Sequence, residues 1–279
     1  MNKNINIVLV LFISVVIHSQ ETNTKNSFDK IKERTNISIE SNSQWYLNDK
    51  KFEDFNEEER LRANSYLRID HKISDRFSSG FQLESYAPEP LLNYSKLFDK
   101  EIGFGIFYLN YRTKKLDVTL GHFYVQFGSG LILRTWEDRA LGVNNALRGG
   151  KIVYDPTNYL RLTALYGKHR KGFDVSDSDT FGFESQFDIA DAFQLENLNS
   201  LQLKLSYVGK KESYIREPIT VDQPKFEIPE LVNTFGVNFD IEYKNLYTNF
   251  EYIYKGEDAR LNNFTPNVHS PEIAPQMTP

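Results

Sequence analysis

Residues 234–243 read Thr-Phe-Gly-Val-Asn-Phe-Asp-Ile-Glu-Tyr. Phe235, Val237, Phe239, Ile241 and Tyr243 share one parity; Thr234, Gly236, Asn238, Asp240 and Glu242 share the other. A strand sends successive side chains to opposite faces, so this period of two describes a two-faced strand and no helix. The pattern recurs at 180–189, where Phe181, Phe183, Phe187 and Ile189 oppose Thr180, Gly182, Glu184, Gln186 and Asp188, with Ser185 the exception. It recurs again from Leu201, where Leu203, Leu205 and Tyr207 oppose Gln202, Lys204 and Ser206 until Val208 breaks step.

Worked outward along the chain, the alternation predicts eleven strands at 36–46, 62–73, 76–87, 102–113, 116–127, 149–155, 159–168, 180–189, 201–210, 234–243 and 246–255. Strands of globular proteins average about 5–6 residues, whereas a tilted membrane-spanning strand needs about 9–11. Most of these match the longer figure. Connections sort by parity: those after even strands are short, except 190–200, and those after odd strands are long, at 47–61, 88–101, 128–148, 169–179 and 211–233. Short periplasmic turns and long external loops are the habit of outer-membrane barrels. The polar faces carry Arg62, Arg68, Asp70, Gln82, Glu84, Glu184 and Lys204, which belong in a lumen because lipid contact would be costly. Of the ten prolines, Pro88, Pro90, Pro156, Pro218, Pro224 and Pro229 fall in expected loops or turns, and Pro266, Pro271, Pro275 and Pro279 beyond the last strand.

Composition agrees. The chain has 279 residues, 21 Phe and 16 Tyr against 2 Trp and 2 Met, a bias toward strand formers. A formal charge of −5 argues against nucleic-acid binding. With no cysteine there is no disulfide, no Cys-ligated zinc, no iron–sulfur cluster and no lipidated cysteine. Lys3, the apolar run Ile5 to Ile17, and Ser19 before Gln20 are the parts of a cleaved export signal.

The stretch 128–150 is the most distinctive: Gly-Ser-Gly-Leu-Ile-Leu-Arg-Thr-Trp-Glu-Asp-Arg-Ala-Leu-Gly-Val-Asn-Asn-Ala-Leu-Arg-Gly-Gly. A purely solvated loop would carry fewer apolar residues. The mixture predicts a loop folded into the barrel mouth, with Leu131, Ile132, Leu133, Trp136 and Leu141 buried. Arg134, Glu137, Asp138, Arg139, Asn144, Asn145 and Arg148 are the candidate constriction or docking residues, together with Trp136. Charged rings of this kind select ions in other pores; a self-satisfied network that braces the barrel is the alternative. The pattern from Gly128 through Trp136-Glu-Asp-Arg139 to Asn144-Asn145 and Arg148-Gly149 resembles one in a family of uncharacterised Bacteroidota outer-membrane β-barrel proteins, and the signal ending Ser19-Gln20 fits that group. The resemblance implies a larger barrel and no assigned activity, so it carries over no catalytic residue.

Other chemistry is sparse. His18, His71, His122, His169 and His269 form no paired metal-ligand spacing. His122 with Ser129 invites comparison with barrel phospholipases, but a lone strand histidine reads as packing. The acidic run Glu53-Asp54 to Glu57-Glu58-Glu59 reads as a solvated external loop before a cation site. The expectation is therefore an all-β protein, an antiparallel up-and-down transmembrane β-barrel of about eleven strands that form part of a larger one. Residues 1–19 are the signal, 20–35 a periplasmic segment, 36–255 the barrel strands and 256–279 a Pro-rich polar loop. The function expected is a porin-like channel or transport component in the outer membrane. A non-conducting scaffold of an envelope complex is the second reading, and a secreted soluble β-sandwich the third. No enzyme activity, cofactor or metal is expected; the partners are membrane lipid, lipopolysaccharide and envelope proteins.

Overall fold

The computed structural model describes residues 32–48, 56–92, 94, 96–98, 102–212, 229–261 and 271–274. The export signal, most of the periplasmic segment, Glu53-Asp54 and most of the Pro-rich tail lie outside the described residues. Eleven long strands follow one another: β1 Thr35–Trp45, β2 Leu61–Lys72, β3 Phe77–Ser85, β4 Ile102–Arg112, β5 Leu116–Phe123, β6 Leu147–Thr157, β7 Leu160–Lys171, β8 Asp179–Asp188, β9 Ser200–Lys211, β10 Leu231–Tyr243 and β11 Leu246–Lys255. Each pairs antiparallel with its predecessor, so the sheet is a meander whose spatial order is the chain order. Among the described residues no ladder joins β1 to β11.

Several boundaries differ from the alternation. The strand expected over 116–127 stops at Phe123, and Gln126–Phe127 pairs instead with Leu133–Arg134. β6 runs on to Thr157 and so contains Pro156, which had been expected in a turn. A register shift between Tyr154 and Thr157 accommodates it, since a bulge frees the ladder from needing the missing N–H. The one long even-to-odd connection holds a short helix, Ile189–Phe193, capped by the Asp188 carboxylate on Asp191 N at 3.0 Å. Within the expected tail loop, Asp258–Leu261 pairs with Pro271–Ala274, because short extended segments satisfy their backbone groups on each other. Between β10 and β11 the two-residue turn Lys244-Asn245 places Lys244 at φ +51.

The two faces of this sheet are inverted relative to a water-soluble protein. On the inner face Asn64, Gln82, Glu84, Thr180, Glu184 and Asn238 are at most 2% exposed. Their chain neighbours on the outer face, such as Leu83 and Phe183, point the other way, and Phe107, Leu120, Leu205, Phe235 and Phe250 are open. Buried polar groups persist only when hydrogen-bonded, so something polar must fill the inner side.

The sheet is also strongly curled. A flat eleven-stranded sheet would hold β1 and β11 about 48 Å apart, at about 4.8 Å per strand. Here Ser129 bonds Glu251 of β11 while Arg139 pairs with Glu40 of β1, and the segment between them doubles back through the Gln126–Phe127 ladder. One corner has a visible cause. Gly121, Gly149 and Gly167 are register partners across β5, β6 and β7. Gly121 sits at φ +101, and a Cβ on Gly149 would come within 2.6 Å of Gly167 Cα, so side chains are excluded where the strands bend together.

Candidate functional site

Residues 124–146, between β5 and β6, lie in the concavity. Two tiny ladders shape them, Gln126–Phe127 with Leu133–Arg134 and Glu137–Asp138 with Val143–Asn144. The first turn uses Gly128 at φ +55 and Gly130 at φ +100, conformations that favour glycine. Thr135 fastens the base: its N–H donates to Val125 O and its hydroxyl accepts from Val125 N, both at 2.8 Å.

Apolar anchoring comes first. Phe127 and Leu133 are buried with Phe123, Leu147, Leu165 and Val208, and Val125 and Ile132 pack against them. Val208, which broke the alternation, is thus the residue that turns an apolar side chain inward to meet the loop. Phe127 lies over Gly182, where a Cβ would stand 2.9 Å from Phe127 Cε2; Ile132 lies over Gly236, at 3.2 Å from its Cδ1. The glycines of the polar faces are seats for the loop. Two of the expected anchors behave otherwise. Leu131 is 76% exposed and Leu141 59% exposed, because each occupies the outer side of a tight turn, facing away from the sheet.

The polar residues of the loop form a network centred on Glu137. Its Oε1 accepts from Asn144 Nδ2 at 3.2 Å and Arg139 Nε at 3.3 Å. Arg139 also reaches Glu40 of β1 and donates to Gln82 Oε1 of β3 at 3.0 Å, with its guanidinium 4.1 Å above the Tyr66 ring. Asn144 Oδ1 accepts from Tyr124 Oη, and Asn145 Oδ1 accepts from Trp136 N at 2.6 Å. Asp138 caps the next turn through Leu141 N at 3.0 Å. Arg134 stacks on Trp136 at 4.7 Å. Burial pushes the Tyr124 and Tyr94 phenols above their ordinary value and keeps them protonated donors.

Arg148 stands apart. It lies on the face of β6 that carries Ile152 and Tyr154, and it is exposed. One residue after the buried Leu147, strand parity turns it away from the loop's network. Among the described residues no loop arginine pairs with Glu184, whose Oε2 accepts from Gly128 N at 2.7 Å. His122 and Ser129 keep separate partners, Phe107 N and Glu251, and make no catalytic pair.

A second loop seals the same end. Tyr66, Tyr86 and Phe98 pack with Tyr94 and Phe173, and Tyr94 Oη donates to Arg139 O at 3.1 Å. Beneath them Arg170 of β7 grips Glu84 of β3, with contacts of 3.0 and 2.5 Å. Tyr86 Oη adds a third bond to Glu84 at 2.6 Å. Sequence reasoning missed Arg170, Tyr86 and the seating glycines. An arginine one residue before a strand end, or a glycine on a polar face, carries no signal until its partner is known. Toward the short turns the inner side opens into a cavity of about 560 Å³ lined by Lys114, Lys115, Asp155, Arg161, Gln186 and Gln202. The arrangement can therefore block or narrow one end of the concavity while leaving the other wet and charged.

No curated protein matches the chain. Among solved structures it is similar to Acinetobacter baumannii OccAB4 at 10% identity and a TM-score of 0.34, covering 79% of this chain. It spans 66% of that protein's length. A family model described as a family of unknown function (DUF6029) matches residues 1–274, and the chain belongs to that family.

Proposed function

We propose that the protein is an outer-membrane β-barrel, exported through the signal at 1–19, that works as a porin-like channel or transport component. Its mouth is narrowed by residues 124–146. The observation that carries this is the inverted sheet: Gln82, Glu84 and Glu184 are buried inside while Phe183, Leu120 and Phe250 face outward. In water, large apolar side chains open along a whole sheet face are rare on monomers; in hydrocarbon they are required. Membrane placement also demands that no strand edge stay open in lipid. β1 and β11 run in the same direction, so an antiparallel closure takes an odd number of further strands between them. The parity of the loops supports an external position for 124–146. Arg148, Lys168 and Lys211 at the long-loop end of the outer face suit the phosphates of lipopolysaccharide. The reading involves no bond-making chemistry.

The test is conductance of the purified full chain in planar bilayers. The intact protein should conduct weakly, and replacing residues 128–144 by a short Gly-Ser linker should raise single-channel conductance. Unchanged conductance in a stably inserted linker variant would remove the channel reading. The exposed Leu131 and Leu141 favour a second reading, a scaffold that docks an envelope partner on the loop. In that case the variant loses the partner and opens no pore.

A further inference from the structure

Two inner glutamates are equally buried and differently compensated. Glu84, 1% exposed, has the Arg170 guanidinium on it. Glu184, also 1% exposed, is in no ion pair among the described residues. It accepts only from neutral donors, Gly128 N at 2.7 Å, Ser206 Oγ at 2.8 Å and Gln186 Nε2 at 2.6 Å. Lys204, a neighbour on the inner face, spends its charge on Asp240 at 2.5 Å. A carboxylate removed from water without a countercharge is expensive.

The same loop turn gathers a second carboxylate, that of the half-buried Glu251. The amide after Gly128, Ser129 N, donates to Glu251 Oε1 at 3.2 Å, and the Ser129 hydroxyl donates to the other oxygen. Glu251 likewise forms no ion pair among the described residues. Consecutive amides of one turn thus hold two unneutralised carboxylates.

Beside them lies an unexplained polar group. Asn238 is 2% exposed, and both its Oδ1 and its Nδ2 lack a hydrogen-bond partner. It is the register partner of Glu251 on the inner face, and its Cβ lies 3.9 Å from where a Cβ on Gly128 would sit. A buried carboxamide with neither atom satisfied calls for a polar partner, whether water or an ion. Water alone would answer the carboxamide and leave the buried Glu184 without a countercharge.

We propose that this turn is a binding site for a hard divalent cation of the calcium type, held by Glu184, Glu251 and the Asn238 carboxamide oxygen, with the Ser129 and Ser206 hydroxyls alongside. The donor set is all oxygen, with no histidine or sulfur, which suits calcium and disfavours zinc or copper. A cation here neutralises both carboxylates and pins Gly128-Ser129 to β8, β10 and β11, so that it acts as a lock on the loop. The site stands whether or not the protein conducts.

The test uses the purified full chain in detergent, stripped with chelator and titrated with calcium chloride alone. Calorimetry should find one calcium per chain with a Kd of about 0.1–1 mM, the range of external calcium modules. Calcium should also slow tryptic cleavage after Arg134. Glu251→Gln and Asn238→Leu should each weaken binding at least about tenfold, while Glu58→Gln, in the acidic external turn, should leave it unchanged. Glu251 lies on the open strand β11, so its variant tests the site even where Glu184→Gln fails to fold. The proposal falls if the intact chain binds no calcium, or if both variants bind as the parent does. It falls too if loop protection follows acidification and ignores calcium, which would mean that the carboxylates share a proton.

Discussion

Arg170 and Glu84 touch across three intervening strands. Their side chains are 2% and 0% exposed, and the guanidinium engages both carboxylate oxygens. Flat sheet geometry would hold β3 and β7 about 19 Å apart. The pair is therefore both a product of the curl and a brace on it, and it stitches the two long loops above it to the wall below.

Removing one member of this pair strands a buried charge. Arg170→Met should cost about 3–5 kcal/mol, the usual penalty for breaking a buried ion pair. Adding Glu84→Gln should recover part of the loss, because the orphaned charge disappears. Urea unfolding of the folded chain in detergent checks this; equal losses in single and double variants would show that Glu84 is neutral already.

The proposed membrane placement makes a different demand. Phe183 and Glu184 are adjacent and face opposite ways, the first 44% exposed and the second buried. Phe183→Arg should destabilise the inserted protein by about 2–4 kcal/mol, the cost of a cation near the bilayer midplane. A surface position in water would register almost nothing, so a neutral result refutes the membrane assignment.

The seat of the loop is testable through a residue that looks innocuous. Gly182→Val places methyl groups where Phe127 lies. Overpacking of this kind costs about 1–3 kcal/mol, or about 5- to 150-fold in the population of displaced loop. Tryptic cleavage after Arg134 should quicken accordingly, with the far-ultraviolet spectrum unchanged. A loop that stays protected would mean that Phe127 does not anchor it.

The proposed orientation rests on loop parity. A cysteine at Ser178, in the connection between β7 and β8, should react with an impermeant thiol reagent on intact cells. One at Asn245, in the turn between β10 and β11, should not. Labelling of both, or only of Asn245→Cys, would overturn the topology.

Alternation by itself determined the strands, because a period of two is a local property that each segment carries alone. The run Thr234 to Tyr243 specified its two faces, and parity of the connections specified a meander. It also singled out the 128–150 stretch, because apolar residues between glycines and charges suit no solvated loop. The partners across the concavity were decided only by the tertiary structure. Phe127 on Gly182, Arg139 on Glu40, Arg170 on Glu84 and Gly128 on Glu184 join residues separated by 55 or more positions, and no local pattern encodes such a meeting. Arg148 shows the same limit from the other side. One residue of strand parity beyond Leu147 turned it outward, and where β6 begins was set by its pairing with β5 and β7, which the composition of the loop does not reveal.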